Sequence, residues 1–321
     1  MAVKKGDSRV KQRDSNRLIA DTGHGATGYG PVQVELVTVL VAVTEGIPRV
    51  LTLDSGYALP SGPLKTSQSS LQAGLRAWVE RQTHHRLGYV EQLYTFAGQQ
   101  RDSARGISIS YLGLTREDGV AYAGAAWRSW YEYFPWEDAR QKANQPYLAT
   151  LLPRLAHWAK ERPEWQARVA GVFGLKGRQW NEDLVLQRYE LLWEAGLVPE
   201  ALRSRAGSAA VVAGAEMTHD HRRIVATGMA RLRAKIKYRP VVFELLKREF
   251  TLLDLQQTME ALAGQTLHKP NFRRLIEQQD LVEETGRSTS GRAGRPAKLF
   301  RFRPAVLEER SVTGTKLPLV R

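Results

Sequence analysis

Arg76-Ala77-Trp78-Val79-Glu80-Arg81 sets one carboxylate among guanidinium groups, and in the N-terminal half this is the run best placed to meet a phosphate or a metal. Splitting a diphosphate needs charge neutralisation and an activated water, which calls for several oxygen ligands around a divalent ion. Only Glu80 is available there, and Arg81 puts its own positive charge where a metal would sit. The expectation is therefore no catalytic residues and no metal site. His84 and His85 follow this run, and His219 and His221 straddle Asp220, but a pair without a third ligand reads as hydrogen-bonded or exposed structure. The chain has no cysteine, so disulfides, thiolate zinc sites and cysteine nucleophiles are excluded.

A second constellation lies near the C-terminus. From Gly286 to Arg303 the chain carries Arg287, Arg292, Arg295, Lys298, Arg301 and Arg303 with no acidic residue, a pattern suited to phosphates or the minor groove. Just upstream stand Asn271, Arg273 and Arg274. Arginine can hold a guanine edge in bidentate fashion and asparagine an adenine edge. The whole chain agrees in sign: 47 Lys and Arg against 33 Asp and Glu give a formal charge of +14, which suits a polyanionic partner.

These residues need elements to hold them. Val32 to Val43 alternates and then becomes continuously apolar, as a buried strand does, and Gly46-Ile47-Pro48 turns it into a second strand over Arg49 to Leu53. Leu71, Leu75, Trp78 and Val79 recur at helical spacing, and Val90 to Phe96 and Ile107 to Leu114 read as further strands. From Pro146 to about Gly207 the pattern is helical throughout. A long helix over Asp220 to Lys237 has Val225, Met229, Leu232 and Ile236 on one stripe, with Arg222, Arg223, Arg231, Arg233 and Lys235 expected outside. The run Trp127 to Trp136 reads as core or interface rather than a ligand platform.

Three short helices and a ribbon close the chain. Pro240 can open a helix over Val241 to Glu249. Thr251 to Asp254 has capping-box spacing before a second helix that ends near Gly264. Pro270 can start a third, with Phe272, Leu275 and Ile276 as its buried face and Arg273, Arg274 and Gln278 outward. Leu281 to Thr285 and Leu299 to Phe302 can then pair. Helix, helix, helix and ribbon make a winged helix-turn-helix, whose third helix enters the major groove.

Gly62 followed by the Arg76 to Arg81 helix is similar to the Nudix box, with Gln68, Ala77 and Arg81 standing where the box has glutamates. Tyr238 to Leu246, Phe250 to Leu255, Asn271-Phe272-Arg273-Arg274 and Gly294 to Leu299 resemble the winged helix of Nudix-related transcriptional regulators of NAD metabolism, and Asp220 to Ile224 resembles their linker helix. Leu87 to Phe96 and Arg188 to Leu197 look like the longer alphaproteobacterial, NadQ-like form. The resemblance implies a repressor of NAD biosynthesis genes, a homodimer on a double-stranded DNA operator, and an effector nucleotide, NAD or ATP, sensed by the Nudix-like domain.

The expected fold class is α+β: a Nudix-like α/β/α sandwich domain with a helical insertion, followed by a C-terminal winged helix-turn-helix. The expected divisions are a basic tail (1–30), sensor domain (31–145), helical insertion (146–216), linker helix (217–237), winged helix (238–305) and C-terminal tail (306–321). DNA contact is expected from Asn271, Arg273, Arg274, Arg287, Arg292, Arg295 and Lys298, and nucleotide contact from Arg76, Glu80, Arg101 and Arg105. With no apolar run of membrane length and no signal-peptide core after the basic start, a cytoplasmic, non-membrane protein is expected. Two other readings stand beside this one: a nucleotide pyrophosphatase using Glu80 with Glu91 or Asp102, and a scaffold whose winged helix binds protein.

Overall fold

A computed structural model of the chain describes residues 33–64, 70–83, 87–99, 105–117, 124–202, 214–237, 241–289 and 296–304. The expected N-terminal tail, the expected C-terminal tail, Gln68, His84, His85, Arg101, Asp102, Arg292 and Arg295 lie outside the described residues.

The β-branched run folds as strand β1 (Gln33–Thr44), which turns at Gly46 into β2 (Ile47–Thr52). Strand β3 (Ser61–Pro63) returns to pair with the first half of β1, helix α1 spans Leu71–Thr83, and β4 (Tyr89–Gln99), β5 (Arg105–Leu114) and β6 (Ala126–Ser129) complete a six-stranded mixed sheet. Its order is β4-β5-β1-β2-β6, with β1 and β5 parallel and the other pairs antiparallel.

The side-chain alternation of β1 decides what covers each face. Leu36 and Leu40 point to α1, where Leu75, Val79 and Tyr111 join them. Val37, Val39 and Val41 point to the other side and enter a much larger cluster. Short helix α2 (Trp130–Tyr133) follows β6, and then come α3 (Gln145–Trp158), α4 (Pro163–Val172), α5 (Val185–Glu194), α6 (Pro199–Leu202) and the long α7 (His221–Ile236). Helix α7 lies on the sheet so closely that a Cβ at Gly228 would stand 3.2 Å from Val39 Cγ1. The sheet is thus sandwiched between α1 and the α7 layer. Trp130, Tyr133, Phe134 and Trp136 are fully buried, as the core reading requires.

The C-terminal module follows α7 directly. The expected helix over 241–249 is corrected: only a 3-10 turn forms, Val241–Leu245, because Phe250 must be extended to exchange two backbone hydrogen bonds with Phe300, at 3.0 and 2.8 Å. Helices α8 (Leu252–Ala263) and α9 (Lys269–Gln278) follow, then β7 (Val282–Ser288) paired with β8 (Lys298–Phe302). The arrangement is a winged helix-turn-helix. Its core is not separate: Val242, Leu255, Phe272 and Phe302 belong to the same buried cluster as Val37, Leu192 and Val225.

Candidate nucleic-acid interface

Thr251 caps α8 in both directions: its Oγ1 accepts from the Asp254 N–H at 3.1 Å, and the Asp254 carboxylate accepts from the Thr251 N–H at 2.8 Å. Satisfying these donors fixes where α8 starts. Gly264 ends it in the left-handed region, φ 69°, where a side chain would be strained. The chain then crosses to α9, which Pro270 opens in its first turn.

Phe272 and Ile276 anchor α9 in the core, and Asn271, Arg273, Arg274 and Gln278 are exposed. Leu275, expected inward, is 49% exposed. With Phe272 and Ile276 taking the centre of the buried stripe, Leu275 falls to its edge. The same winding separates the polar residues: at 100° per residue, Arg274 and Asn271 stand about 60° apart on one face, whereas Arg273 is about 160° from Asn271, on the opposite flank. Among the described residues neither Arg273 nor Arg274 has an ion-pair partner.

The wing is less cationic than its own sequence run suggests. Arg287 pairs with Glu249, Lys298 Nζ with Glu284 at 2.8 Å, Arg301 with Glu283 at 2.7 Å and Arg303 with Asp280 at 2.5 Å. The run 286–303 holds no acid, but the facing strand and neighbouring turns supply one for each of these cations. Such exposed pairs are worth little in water, so a DNA phosphate can replace the carboxylate at small cost.

The expected nucleotide residues fare differently. Arg76 is spent on the fold: its guanidinium donates to the Leu87 carbonyl and, at 3.0 Å, to the Gly88 carbonyl, tying α1 to the start of β4. Arg105 takes its place in β5 opposite Gln99. On the outer face of α1, Ala77, Glu80 and Arg81 are exposed. One carboxylate beside a guanidinium does not suit the divalent ion that an active Nudix box holds. Glycine is needed at Gly62 for packing, since a Cβ there would meet the Trp78 ring at 2.3 Å. His221, one of the histidines set aside above, is buried and its Nδ1 accepts from the Leu59 N–H at 2.9 Å.

The largest departure from expectation concerns α7. Arg222 and Arg233, expected outside, are fully buried. Arg222 bonds Glu200 at 3.1 Å and the Tyr133 carbonyl. Arg233 bonds Glu137 Oε2 at 2.7 Å, and Arg188 of α5 grips the same carboxylate at 2.5 and 2.9 Å. Burial alone would raise the Glu137 pKa, but the two guanidiniums outweigh it and hold the carboxyl below its ordinary range. Sequence reasoning passed over Glu137 and Glu200, and took Arg188 only as the start of a family motif. A signal existed: Arg222 and Arg233 are eleven residues apart, about three turns, which returns them to nearly the same face as Val225, Met229 and Ile236.

Residues 242–302 match the family model described as the NrtR DNA-binding winged helix domain. The ADPR-responsive transcriptional repressor NtrR of Acinetobacter baylyi is 36% identical over 87 residues, covering 27% of this chain and 34% of that protein, so the match spans about a third of the relative's length. Among solved structures, Shewanella oneidensis NrtR aligns with TM-score 0.50 and 20% identity over 85% of this chain and 95% of that one. The same protein complexed with a 27mer DNA aligns with TM-score 0.49 and 21% identity over 86% and 95%. The first of these structural likenesses, at 20% identity, speaks for the fold alone: a Nudix-like domain followed by a winged helix.

Proposed function

We propose that this chain is a ligand-responsive, DNA-binding transcriptional repressor of NAD biosynthesis genes. The observation that carries the proposal is α9: a winged-helix third helix, in a segment matching the NrtR DNA-binding family, that presents Asn271 and Arg274 on one exposed face, with no ion-pair partner for the arginine among the described residues. Arg273 and the exchangeable wing cations Arg287 and Lys298 supply backbone contacts around it. The protein acts as a homodimer on a two-fold operator, in the cytoplasm where its DNA is. Among the described residues no helix is long and apolar enough to cross a membrane.

The Nudix-like domain serves as sensor rather than hydrolase, because Glu80 stands beside Ala77 and Arg81 instead of further carboxylates. ADP-ribose leads the candidate effectors, since the Acinetobacter relative is an ADPR-responsive repressor, and NAD and ATP follow. The test is fluorescence anisotropy on duplexes from upstream of the chain's own gene and of NAD biosynthesis genes, with and without each nucleotide. Sequence-selective binding that one nucleotide alters is the expected result. Equal affinity for operator and scrambled DNA under every condition would overturn it, and Mg²⁺-dependent release of AMP from ADP-ribose would restore the hydrolase reading.

A further inference from the structure

The buried cluster around Glu137 joins four parts of the chain. Glu137 lies in the 3-10 turn Pro135–Glu137 after α2, Arg188 comes from the helical layer, Arg233 from α7, and the C-terminal end of α8 closes the fourth side. Arg233 Nε donates to the Leu262 carbonyl at 2.8 Å, the Tyr131 hydroxyl donates to the Ala261 carbonyl at 2.7 Å, and the Ala139 N–H donates to the Gly264 carbonyl at 2.8 Å. The approach is so close that a Cβ on Gly264 would stand 2.3 Å from the Glu137 carbonyl oxygen and 2.9 Å from both an Arg233 nitrogen and the Tyr131 hydroxyl.

Charge gives this contact its meaning. Among the described residues one carboxylate is ion-paired with the two guanidiniums, all three side chains fully buried, and the Glu182 carboxylate acts on Arg233 only through its field. A buried charge left uncompensated is strongly unfavourable. Arg188 finds the Val172 and Asn181 carbonyls at 3.0 and 2.9 Å. Arg233 has the Glu182 carbonyl at 3.1 Å and the end of α8, where a helix presents unpaired carbonyls and the negative pole of its dipole. The end of α8 thus stands in for a second ion-paired carboxylate, and docking of the winged helix and charge balance inside the sensor are one event. Helix α7 also reports on the sheet: Gly228 abuts Val39, and Lys235 and Arg231 bond Glu91 of the edge strand β4 at 2.5 and 3.3 Å.

We propose that Glu137, with Arg188 and Arg233, is the positioning centre through which nucleotide occupancy of the Nudix-like domain sets the pose of α8, and with it of the recognition helix α9. This rests on the ligand-responsive reading above and adds the route of the response. Glu137→Gln strands two buried arginines and threatens folding, so the decisive variants are Tyr131→Phe, which removes the bond to Ala261 and the long one, 3.4 Å, that the Tyr131 hydroxyl accepts from Arg233, and Gly264→Ala, which wedges the contact.

The readout is the ratio of operator affinities with and without saturating ADP-ribose, beside ADP-ribose affinity in the absence of DNA by calorimetry. A wild-type ratio of about 5- to 150-fold is the ordinary size of such coupling. The expected result is that both variants bind ADP-ribose as the wild type does while the ratio collapses toward one. Variants that keep the wild-type ratio overturn the inference alone. So does a parallel loss of both affinities with a lowered melting temperature, which is what mere structural support would give. A wild-type ratio of one overturns the ligand-responsive reading, and this inference with it.

Discussion

Replacing Arg273 and Arg274 one at a time by alanine should produce two different losses, although the residues are neighbours in sequence. The winding of α9 puts Arg274 on the exposed face with Asn271 and carries Arg273 to the opposite flank, and Phe272 and Ile276 fix the helix against rotation. A bidentate contact with a base edge discriminates by about 1–3 kcal/mol, so Arg274→Ala should weaken operator binding by about 5- to 160-fold. Scrambled DNA should be affected far less, and the salt dependence should scarcely change. A flanking arginine reaches phosphate instead. Arg273→Ala should weaken operator and scrambled DNA alike and reduce the slope of log affinity against log salt by about 0.9 per contact. Between 50 and 200 mM salt one such contact is worth about 3.5-fold, doubled in the exponent for a homodimer binding both half-sites. The assay is anisotropy on operator and scrambled duplexes at four salt concentrations. Identical signatures for the two variants, or exchanged ones, would refute the assignment of faces.

Two further outcomes follow from the packing and from the buried carboxylates. Gly62→Ala pushes a methyl group into the Trp78 ring, and overpacking of this kind costs about 1–3 kcal/mol; thermal denaturation followed by tryptophan fluorescence should show a lowered midpoint, and an unchanged one would show that the ring moves freely. Glu91, Glu137 and Glu182 all titrate below their ordinary value of 4.5 in the folded chain, because burial, which acts the other way, is outweighed by Lys235 at Glu91, by Arg188 and Arg233 at Glu137, and by Lys237 at Glu182. A carboxyl depressed on folding contributes stability above its unfolded pKa and loses it as pH falls, so the urea midpoint should hold from neutrality to about pH 5 and drop below about pH 4.5. A midpoint unchanged well below pH 4 would mean these pairs contribute nothing.

The elements with strong periodicity were readable from sequence. Val32 to Val43 announces β1, the Leu71 stripe α1, and Thr251 with Asp254 the start of α8. Two kinds of information were not local. Phe250 turns away from helix only because Phe300 waits for it fifty residues later, and Leu275 loses its burial only because two better-placed neighbours fill the stripe. Charge was the harder case. Arginine at a core-facing position reads as exterior until its acid is known, and Glu137 and Glu200 lie 96 and 22 residues from their α7 partners. The wing errs in the opposite sense: Arg287, Lys298, Arg301 and Arg303 look unopposed along the chain and are paired across it.

The layer beneath Val37, Val39 and Val41 is made by α7, whose Val225 and Met229 lie nearly two hundred residues downstream. A ribosome adds about 5–20 residues per second, so roughly 10–40 s separate the emergence of β1 from that of its cover. During that interval one face of a β-branched strand stands bare, and its parallel partner β5 also arrives late. Nascent chains of this protein should therefore engage a chaperone that shields apolar strands until α7 is made, and truncations ending before His221 should accumulate as aggregates rather than as a smaller folded domain.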